Sequence, residues 1–166
     1  GIVEVPDERL DKLTELVEPK KTVPTAFEFV DIAGLVRGAS KGEGLGNKFL
    51  AHIREVDAIV HVVRCFEDEN ITHVDGKIDP ISDIQTINLE LVLADLDSVE
   101  KRIDRAKKNM KGGNKQYAQE IEILERVKET LYNDMPARSM ELTEDERLII
   151  RDLHLLTMKP VLYAAN

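Results

Sequence analysis

Cysteine and long apolar runs are scarce in this 166-residue sequence, and each scarcity excludes a class of protein. Cys65 is the only cysteine, so an internal disulfide and a cysteine-based metal site are both excluded. This cysteine usage favours a reducing, cytoplasmic compartment. The apolar runs, of which Ala58–Val63 is typical, are far shorter than the roughly 20 residues that cross a bilayer, so no membrane association is expected.

Positive charge is in deficit, with one local exception. The chain has 23 Lys and Arg against 32 Asp and Glu, so its net charge is −9 and its surface as a whole repels nucleic acid. Residues 101–115 depart from this average, because Asp104 is their only acidic residue. The segment predicts a polyanion-binding surface that contacts phosphates, or else a solvated helix face. Its seven cations are Lys101, Arg102, Arg105, Lys107, Lys108, Lys111 and Lys115.

The two ends of the chain predict a piece of a longer protein. The sequence begins at Gly1 rather than at Met, and it has no signal-peptide pattern. It stops at Asn166, directly after an apolar run that predicts a strand. We therefore expect further chain on both sides.

Short apolar runs alternate with helical stretches in the first half of the sequence. Leucines and other apolar residues at helical spacing predict helices over residues 7–17 and 44–56. The alternation predicts an α/β fold with a mainly parallel sheet that helices cover. The predicted strands are residues 2–5, 27–31, 58–65 and 160–165.

The second half of the sequence predicts a helical hairpin. From Ser82, the expected N-cap, apolar residues recur every three or four residues as far as Met110, which is the seam of a coiled coil. After a break at residues 111–114, a helix over residues 115–132 offers the returning face. The two helices are expected to run antiparallel, with the basic end outermost.

The predicted organisation has three parts. A partial α/β domain covers residues 1–80, an inserted coiled-coil hairpin covers residues 81–135, and the α/β domain resumes over residues 136–166. A capping box at Thr143 predicts a last helix that ends near Met158. The apolar seam is satisfied either within one hairpin or between two chains, so the oligomeric state stays open.

The segment that begins at Asp31 has the residues of a phosphate site at the end of a strand. The Asp31 carboxylate can hold a Mg²⁺-bound water there, and Gly34 lets its backbone N–H approach a γ-phosphate. The glycines that follow give a mobile loop, which a phosphate orders and hydrolysis releases. Asp-x-x-Gly alone is a common pattern, and the alternative interpretation is a strand followed by a glycine-rich turn.

A longer string is more specific. Residues 34–47 read Gly-Leu-Val-Arg-Gly-Ala-Ser-Lys-Gly-Glu-Gly-Leu-Gly-Asn, which resembles switch II of the Obg-like branch of P-loop GTPases. Ala33, the run Arg64-Cys-Phe-Glu and the run Asp83-Ile-Gln-Thr-Ile-Asn-Leu-Glu-Leu resemble the YchF subfamily, the Obg-like ATPases. The resemblance covers nearly the whole chain. In it, the switch II residues are Leu35, Gly38, Gly42, Gly44 and Gly46.

The resemblance also implies residue roles. It assigns Asp31 and Gly34 to nucleotide binding, with Asp31 at the metal, and Asn166 to the first position of the base-recognition motif. It implies a G domain over residues 1–80 and 136–166. The chain ends before the acidic residue that separates ATP from GTP, so the nucleotide preference stays open.

The function implied by the resemblance is that of a regulatory ATPase or GTPase. The parent protein would hydrolyse ATP or GTP with Mg²⁺ and associate with the ribosome or another RNA. The alternative is a non-enzymatic coiled-coil module that binds a polyanionic or protein partner. The chain contains no Gly-x-x-x-x-Gly-Lys-Ser/Thr loop, so by itself it is not expected to bind a triphosphate.

A histidine is the candidate for the catalytic group. Ras-like enzymes use a glutamine after Asp-x-x-Gly to orient the attacking water, but Leu35 follows Gly34 here and forms no side-chain hydrogen bond. His73 lies in the segment after the third predicted strand, which leads to the nucleotide edge of the sheet. A histidine orients or deprotonates water near neutral pH. The alternative is that His73 only packs in a surface loop.

Overall fold

A computed structural model describes residues 1–32, 45–68, 70, 78–110 and 115–166. The chain divides into two compact units, Gly1–Ala33 and Gly34–Asn166. Of the helices in the described ranges, none has the length and apolar character needed to cross a membrane.

The first unit consists of a helix and a two-stranded ribbon. Strand β1 (Ile2–Glu4) pairs with strand β2 (Ala26–Glu28), and the backbone amide of Phe29 extends the ribbon by donating to the Gly1 carbonyl at 2.7 Å. Helix α1 (Glu8–Val17) follows β1. The Asp7 carboxylate caps α1 by accepting a hydrogen bond from the Arg9 amide at 3.0 Å. The helix and strands lie where the sequence predicts them, within one to three residues.

The direction of this ribbon corrects the sequence-based prediction. β1 and β2 are antiparallel, so the parallel arrangement expected of a βαβ unit is wrong for these two strands. All six of their residues are exposed. Parallel strands are normally buried on both faces, whereas antiparallel ribbons tolerate solvent. Residues 18–25, which follow the ten-residue α1, return the chain in the opposite direction.

The second unit contains a parallel strand pair. Strand β3 (Ile59–Val63) lies beside strand β4 (Val161–Ala165) in register from end to end. Parallel strands need a crossover connection, which the intervening helices supply. Helix α2 (Leu45–Glu55) precedes β3 and buries Leu50 and Ile53. The parallel prediction is confirmed for this pair.

Two long helices lie between β3 and β4. Helix α3 (Pro80–Asn109) and helix α4 (Lys115–Tyr132) pack along each other, and a short connection requires them to run antiparallel. Helix α3 begins three residues earlier than predicted. Its N-cap is Asp79 rather than Ser82, and the Asp79 carboxylate accepts from the Ser82 amide at 3.1 Å. Proline at the first helical position costs no hydrogen bond, which explains the earlier start.

The last helical stretch is shorter than the sequence predicts. The capping box at Thr143 is confirmed, because its hydroxyl accepts from the Glu146 amide and the Glu146 carboxylate accepts from the Thr143 amide. Helix α5 (Glu144–Ile150) then gives way to 3-10 helices at Arg151–Leu153 and Leu156–Met158, so the prediction of one helix to Met158 is wrong. The chain turns at His154, which has the left-handed φ of 46°.

The main core lies between the long helices and the segments that follow them. It combines the buried faces of α3 and α4 with residues of α5 and of the short helices. Helix α4 packs against both α3 and α5, and Ile123 is only 2% exposed. The core residues are Val92, Val99, Ile103, Ile123, Leu124, Val127, Leu131, Ala137, Ile150 and Leu155.

Candidate functional site

The carboxyl ends of β3 and β4 lie together at one edge of the second unit. The backbone amide of Asn166 donates to the Val63 carbonyl at 2.9 Å, and the Cys65 amide donates to the Asn166 carbonyl at 2.6 Å. These bonds continue the parallel ladder beyond the ends of the two strands. Ligands of open α/β sheets bind outside the carboxyl ends of the strands, so Asn166 is placed where a ligand is expected.

The segment after β3 leaves from the same edge and has a defined start. The Arg64 guanidinium lies over the Phe66 ring, 4.8 Å from its centroid. It also donates to the carbonyls of Phe66 and Asp68, each at 3.2 Å. These contacts fix the first residues of the segment that contains His73. His73 itself lies outside the described residues.

Asp31 follows β2 in the first unit. Its side chain is exposed, and it forms no ion pair with any residue that the structure describes. An exposed carboxylate of this kind is a suitable ligand for a Mg²⁺ water. Over the described ranges, no cluster of three or more His, Cys, Asp and Glu side chains forms a metal site.

Most of the predicted glycine-rich segment lies outside the described residues. Gly46 is in the first turn of α2. The predicted site residues outside the described ranges are Gly34, Leu35, Gly38, Gly42, Gly44, His73 and Lys111.

The predicted polyanion cluster is partly neutralised by ion pairs. Arg102 is only 26% exposed and binds two carboxylates, those of Glu120 on α4 and of Asp152. Lys101 and Lys107 each contact an acidic residue as well, at 2.7 Å and 3.0 Å. The carboxylate of an ion pair cancels part of the positive charge that would otherwise attract a phosphate.

Three of the predicted cations keep their charge available. Arg105, Lys108 and Lys115 are exposed, and within the described ranges none has an acidic partner within 4.0 Å. All three lie towards the connection between α3 and α4. Among the described cations of the predicted surface, those without an acidic partner therefore lie nearer to the tip of the helix pair.

Arg102 also lines a charged cleft of about 760 Å³, which was not predicted from the sequence. It opens between the end of α2, the middle of α3 and residues 152–159. Five Lys and Arg side chains and three acidic ones line it, so its charges are mixed rather than of one sign. Its residues come from three distant stretches of sequence, which is why no local pattern marks it.

Asp95 is a buried neighbour of this cleft, 3.9 Å from the Arg54 guanidinium that lines it. It is 0% exposed, and its carboxylate accepts hydrogen bonds from the Leu156 amide at 2.8 Å and from the amide and hydroxyl of Thr157, each at 2.7 Å. Burial raises the pKa of Asp95 above its ordinary value, and the hydrogen bonds from these donors and the nearby Arg54 guanidinium offset only part of that rise. The feature of the sequence that could have indicated this buried carboxylate is Asp95 itself, the one acidic residue inside the apolar run 91–96.

The Lys159 side chain caps the carboxyl end of α2. Its ammonium donates to the carbonyls of Arg54 and Val56, which have no helical partner at the end of a helix. Burial lowers the pKa of Lys159 below its ordinary value. A cation at this position also complements the helix dipole.

Comparison with known proteins places these features in a family. The sequence model of the 50S ribosome-binding GTPase family matches residues 9–95, slightly more than half of the chain. The chain therefore belongs to the 50S ribosome-binding GTPase family, and its α/β architecture is the P-loop fold of that family.

The individual relatives define a narrower group than the family model does. The chain is 67% identical over its whole length to the "Ribosome-binding ATPase YchF" of Bacillus subtilis, and covers 45% of that protein. It is 57% identical to the protein of the same name from Haemophilus influenzae, of which it covers 46%. The predicted resemblance to YchF proteins is confirmed. The chain spans about half the length of these relatives.

A solved structure gives the same result. The Schizosaccharomyces pombe YchF GTPase superposes with a TM-score of 0.81 at 45% sequence identity. The match covers 99% of this chain and 45% of the other. The arrangement of helices and strands described above is therefore shared with a YchF GTPase.

Proposed function

We propose that the protein hydrolyses ATP or GTP with Mg²⁺ and uses its nucleotide state to control binding to the ribosome. The observation that supports this most directly is the edge formed by β3 and β4. Asn166 and the start of the segment leading to His73 lie together there, at the carboxyl ends of parallel strands. Family membership and the names of the relatives agree with this proposal. Ribosome binding also fits a cytoplasmic location.

Three residues are proposed to bind the nucleotide and its metal. Asp31 holds a water of the Mg²⁺ ion, Gly34 donates its N–H to the γ-phosphate, and Asn166 recognises the base. The switch II glycines give the chain the freedom to approach the phosphates closely. The bound Mg²⁺ would neutralise charge that develops on the phosphate oxygens. Catalysis then depends on positioning and electrostatics rather than on a covalent intermediate.

His73 is proposed to orient the attacking water. Leu35 occupies the position at which Ras-like enzymes have glutamine, and an apolar side chain has no donor or acceptor for water. An imidazole can accept a proton from water or donate one near neutral pH.

Replacing His73 with alanine tests this role. We expect the hydrolysis rate to fall by about 10²-fold or more, because a positioned general base contributes that much, while nucleotide affinity stays nearly unchanged. Single-turnover hydrolysis and titration with fluorescent ATP and GTP analogues measure the two quantities separately. His52→Ala is the matched control, because His52 is an exposed histidine on α2. Unchanged turnover in His73→Ala would remove His73 from the mechanism.

The protein for this experiment is the longest natural form that contains the chain. Residues 1–166 include no Gly-x-x-x-x-Gly-Lys-Ser/Thr loop, so we expect them to bind a triphosphate weakly by themselves. The same titration on residues 1–166 checks this expectation. Micromolar affinity of residues 1–166 would contradict it.

We further propose that α3 and α4 form a coiled-coil hairpin inserted into the P-loop fold, with its basic end directed at the ribosome. The apolar residues of α3 recur at spacings of three and four, and Ile103 and Val127 are among those buried between the helices. Arg105, Lys108 and Lys115 are suited to contacting RNA phosphates, and binding would be of the backbone kind because few aromatics accompany them.

Charge reversal tests this surface. In the double variant Arg105→Glu/Lys108→Glu, we expect weaker ribosome binding and a salt dependence reduced by about one unit of log Kd per log salt for each phosphate that the variant no longer binds. The matched control is Lys12→Glu/Lys20→Glu, which makes the same charge change at exposed residues of the first unit. Sedimentation with ribosomes over a range of salt concentrations measures both effects. An equal loss of affinity in the two double variants would mean that only net charge matters.

The second candidate function is a non-enzymatic interaction module. The extensive buried core of α3 and α4 favours it, because a rigid helix pair suffices to present a binding surface. The two candidates differ in one requirement. The module binds its partner equally with and without nucleotide, whereas the ATPase or GTPase does not.

A further inference from the structure

One arginine at the end of α2 contacts two other segments of the second unit. Arg54 Nη2 donates to the Ser98 hydroxyl on α3 at 3.1 Å, and Nη1 donates to the His154 carbonyl at 3.4 Å. The same guanidinium lies 3.9 Å from a carboxylate oxygen of Asp95. Arg54 therefore joins α2 to α3 and to the segment that leads into β4.

The same three segments are tied together a second time. Asp95 on α3 binds the backbone of Leu156 and Thr157, and Lys159 from that backbone segment binds the last carbonyls of α2. The end of α2, one turn of α3 and residues 154–159 thus form a closed ring of contacts. We name this ring the α2–α3 junction.

The junction lies between the two elements proposed to contact the nucleotide. Helix α2 begins at Leu45, directly after the glycine-rich stretch of the sequence, and β4 ends next to Asn166. Both elements are held at their far ends by the same turn of α3. A displacement of either one is therefore transmitted to α3.

We propose that Arg54 is the residue that couples the nucleotide site to the orientation of α3 and hence to partner binding. This inference rests on the proposed function. Ser98 in the junction and Lys108 at the basic end are ten residues apart on α3, about 15 Å along the helix axis, so a small rotation at the junction displaces the basic end. The planar guanidinium contacts three groups at once, a geometry that the single ammonium of lysine does not reproduce.

The test measures coupling rather than affinity alone. Ribosome affinity is measured for the longest natural form of the protein, once with a non-hydrolysable triphosphate analogue bound and once with the diphosphate bound. The adenine or guanine nucleotide is used, whichever binds more tightly. We expect Arg54→Lys and Arg54→Gln to reduce the ratio of the two affinities by about tenfold, a typical size for allosteric coupling. Nucleotide affinity and hydrolysis without ribosomes should change by less than about twofold, because the described contacts of Arg54 are with Ser98, His154 and Asp95, none of which is proposed to bind nucleotide.

Two controls separate coupling from a general loss of structure. Arg151→Gln removes an exposed arginine three residues before His154 and should leave the ratio of the two ribosome affinities unchanged. Hydrogen exchange of the amides around Asp95 and Ser98 should differ between the two nucleotide states in the wild type and not in Arg54→Lys. Exchange is compared between the two nucleotide states of the same variant, so a loss of stability that is common to both states does not change the difference.

Each outcome supports or overturns a separate statement. If the wild type binds ribosomes equally in both nucleotide states, the proposed function fails. If the wild type discriminates and both Arg54 variants discriminate equally well, the coupling role of Arg54 is overturned. The coupling role is also overturned if both variants bind more weakly in both states with an unchanged ratio, because Arg54 would then be only structural.

Discussion

Replacing Asp95 with alanine is expected to lower the free energy of unfolding by about 3 kcal/mol or more, because each buried donor that loses its acceptor costs roughly 1–3 kcal/mol. Asp95 is 0% exposed and is the acceptor for the Leu156 and Thr157 amides and for the Thr157 hydroxyl. The residues that carry these donors are themselves buried, Leu156 at 0% and Thr157 at 2% exposed. The Thr157 hydroxyl also accepts from the buried Ala137 amide at 3.0 Å, so the loss extends to a further segment.

Asp97→Ala is the matched control for this prediction. Asp97 is two residues away on the same helix and pairs with Lys101, but its side chain is 63% exposed. An exposed ion pair between residues i and i+4 contributes about 0.3–0.5 kcal/mol, so the control should unfold almost like the wild type. Urea unfolding followed by circular dichroism gives both values. Equal stability of the two variants would show that Asp95 does not hold residues 156–157 in solution.

Asp95→Asn separates the loss of the hydrogen-bond acceptors from a change in side-chain shape. The amide keeps one acceptor oxygen but turns an N–H₂ group towards donors that already point at it. We expect it to lose most of the stability lost in Asp95→Ala, although the two side chains Asp and Asn have nearly the same shape. A variant as stable as the wild type would indicate that shape alone matters at this position.

Replacing Leu124 with alanine is the second large effect. Leu124 is 0% exposed in the core that α3 and α4 share. Removing a buried leucine side chain costs its transfer free energy and leaves a cavity, together about 2–5 kcal/mol. The expected result is a shift of the urea midpoint with little change in its slope, because the same surface is exposed on unfolding.

Leu148→Ala is the control for Leu124. Leu148 lies on α5 and is 56% exposed, so its truncation removes little buried area, and changes at such surface positions are usually within about 0.5 kcal/mol. Both proteins are compared by the same urea titration. A loss of stability below about 1 kcal/mol in Leu124→Ala would contradict a tightly packed pair of long helices.

Features set by neighbouring residues were predicted well from the sequence. The boundaries of α4 and the capping box at Thr143 are confirmed, because apolar spacing and capping act over a few residues. The start of α3 was placed three residues late, since Asp79 and Pro80 form an alternative helix start next to Ser82. The resemblance to YchF proteins also came from short contiguous strings.

Features that join distant residues were not predicted. Asp95 and Thr157 are 62 residues apart, and nothing near either one indicates the hydrogen bonds between them. The pairing of Arg102 with Glu120 and Asp152 likewise depends on how α3 meets two other segments. Three of the six described cations of the predicted surface pair with carboxylates, which charge along a sequence does not reveal.

The sequence by itself determined the class of fold, the long helices and the glycine-rich segment that relates this chain to its family. These depend on the periodicity of apolar residues and on motifs in which each residue acts near its neighbours. Only the tertiary structure decided that β1 and β2 run antiparallel and that Arg54, Asp95 and Lys159 form one junction. The physical reason is that strand direction and buried polar pairing are settled by contacts between segments far apart in the chain, where the whole fold selects the partner.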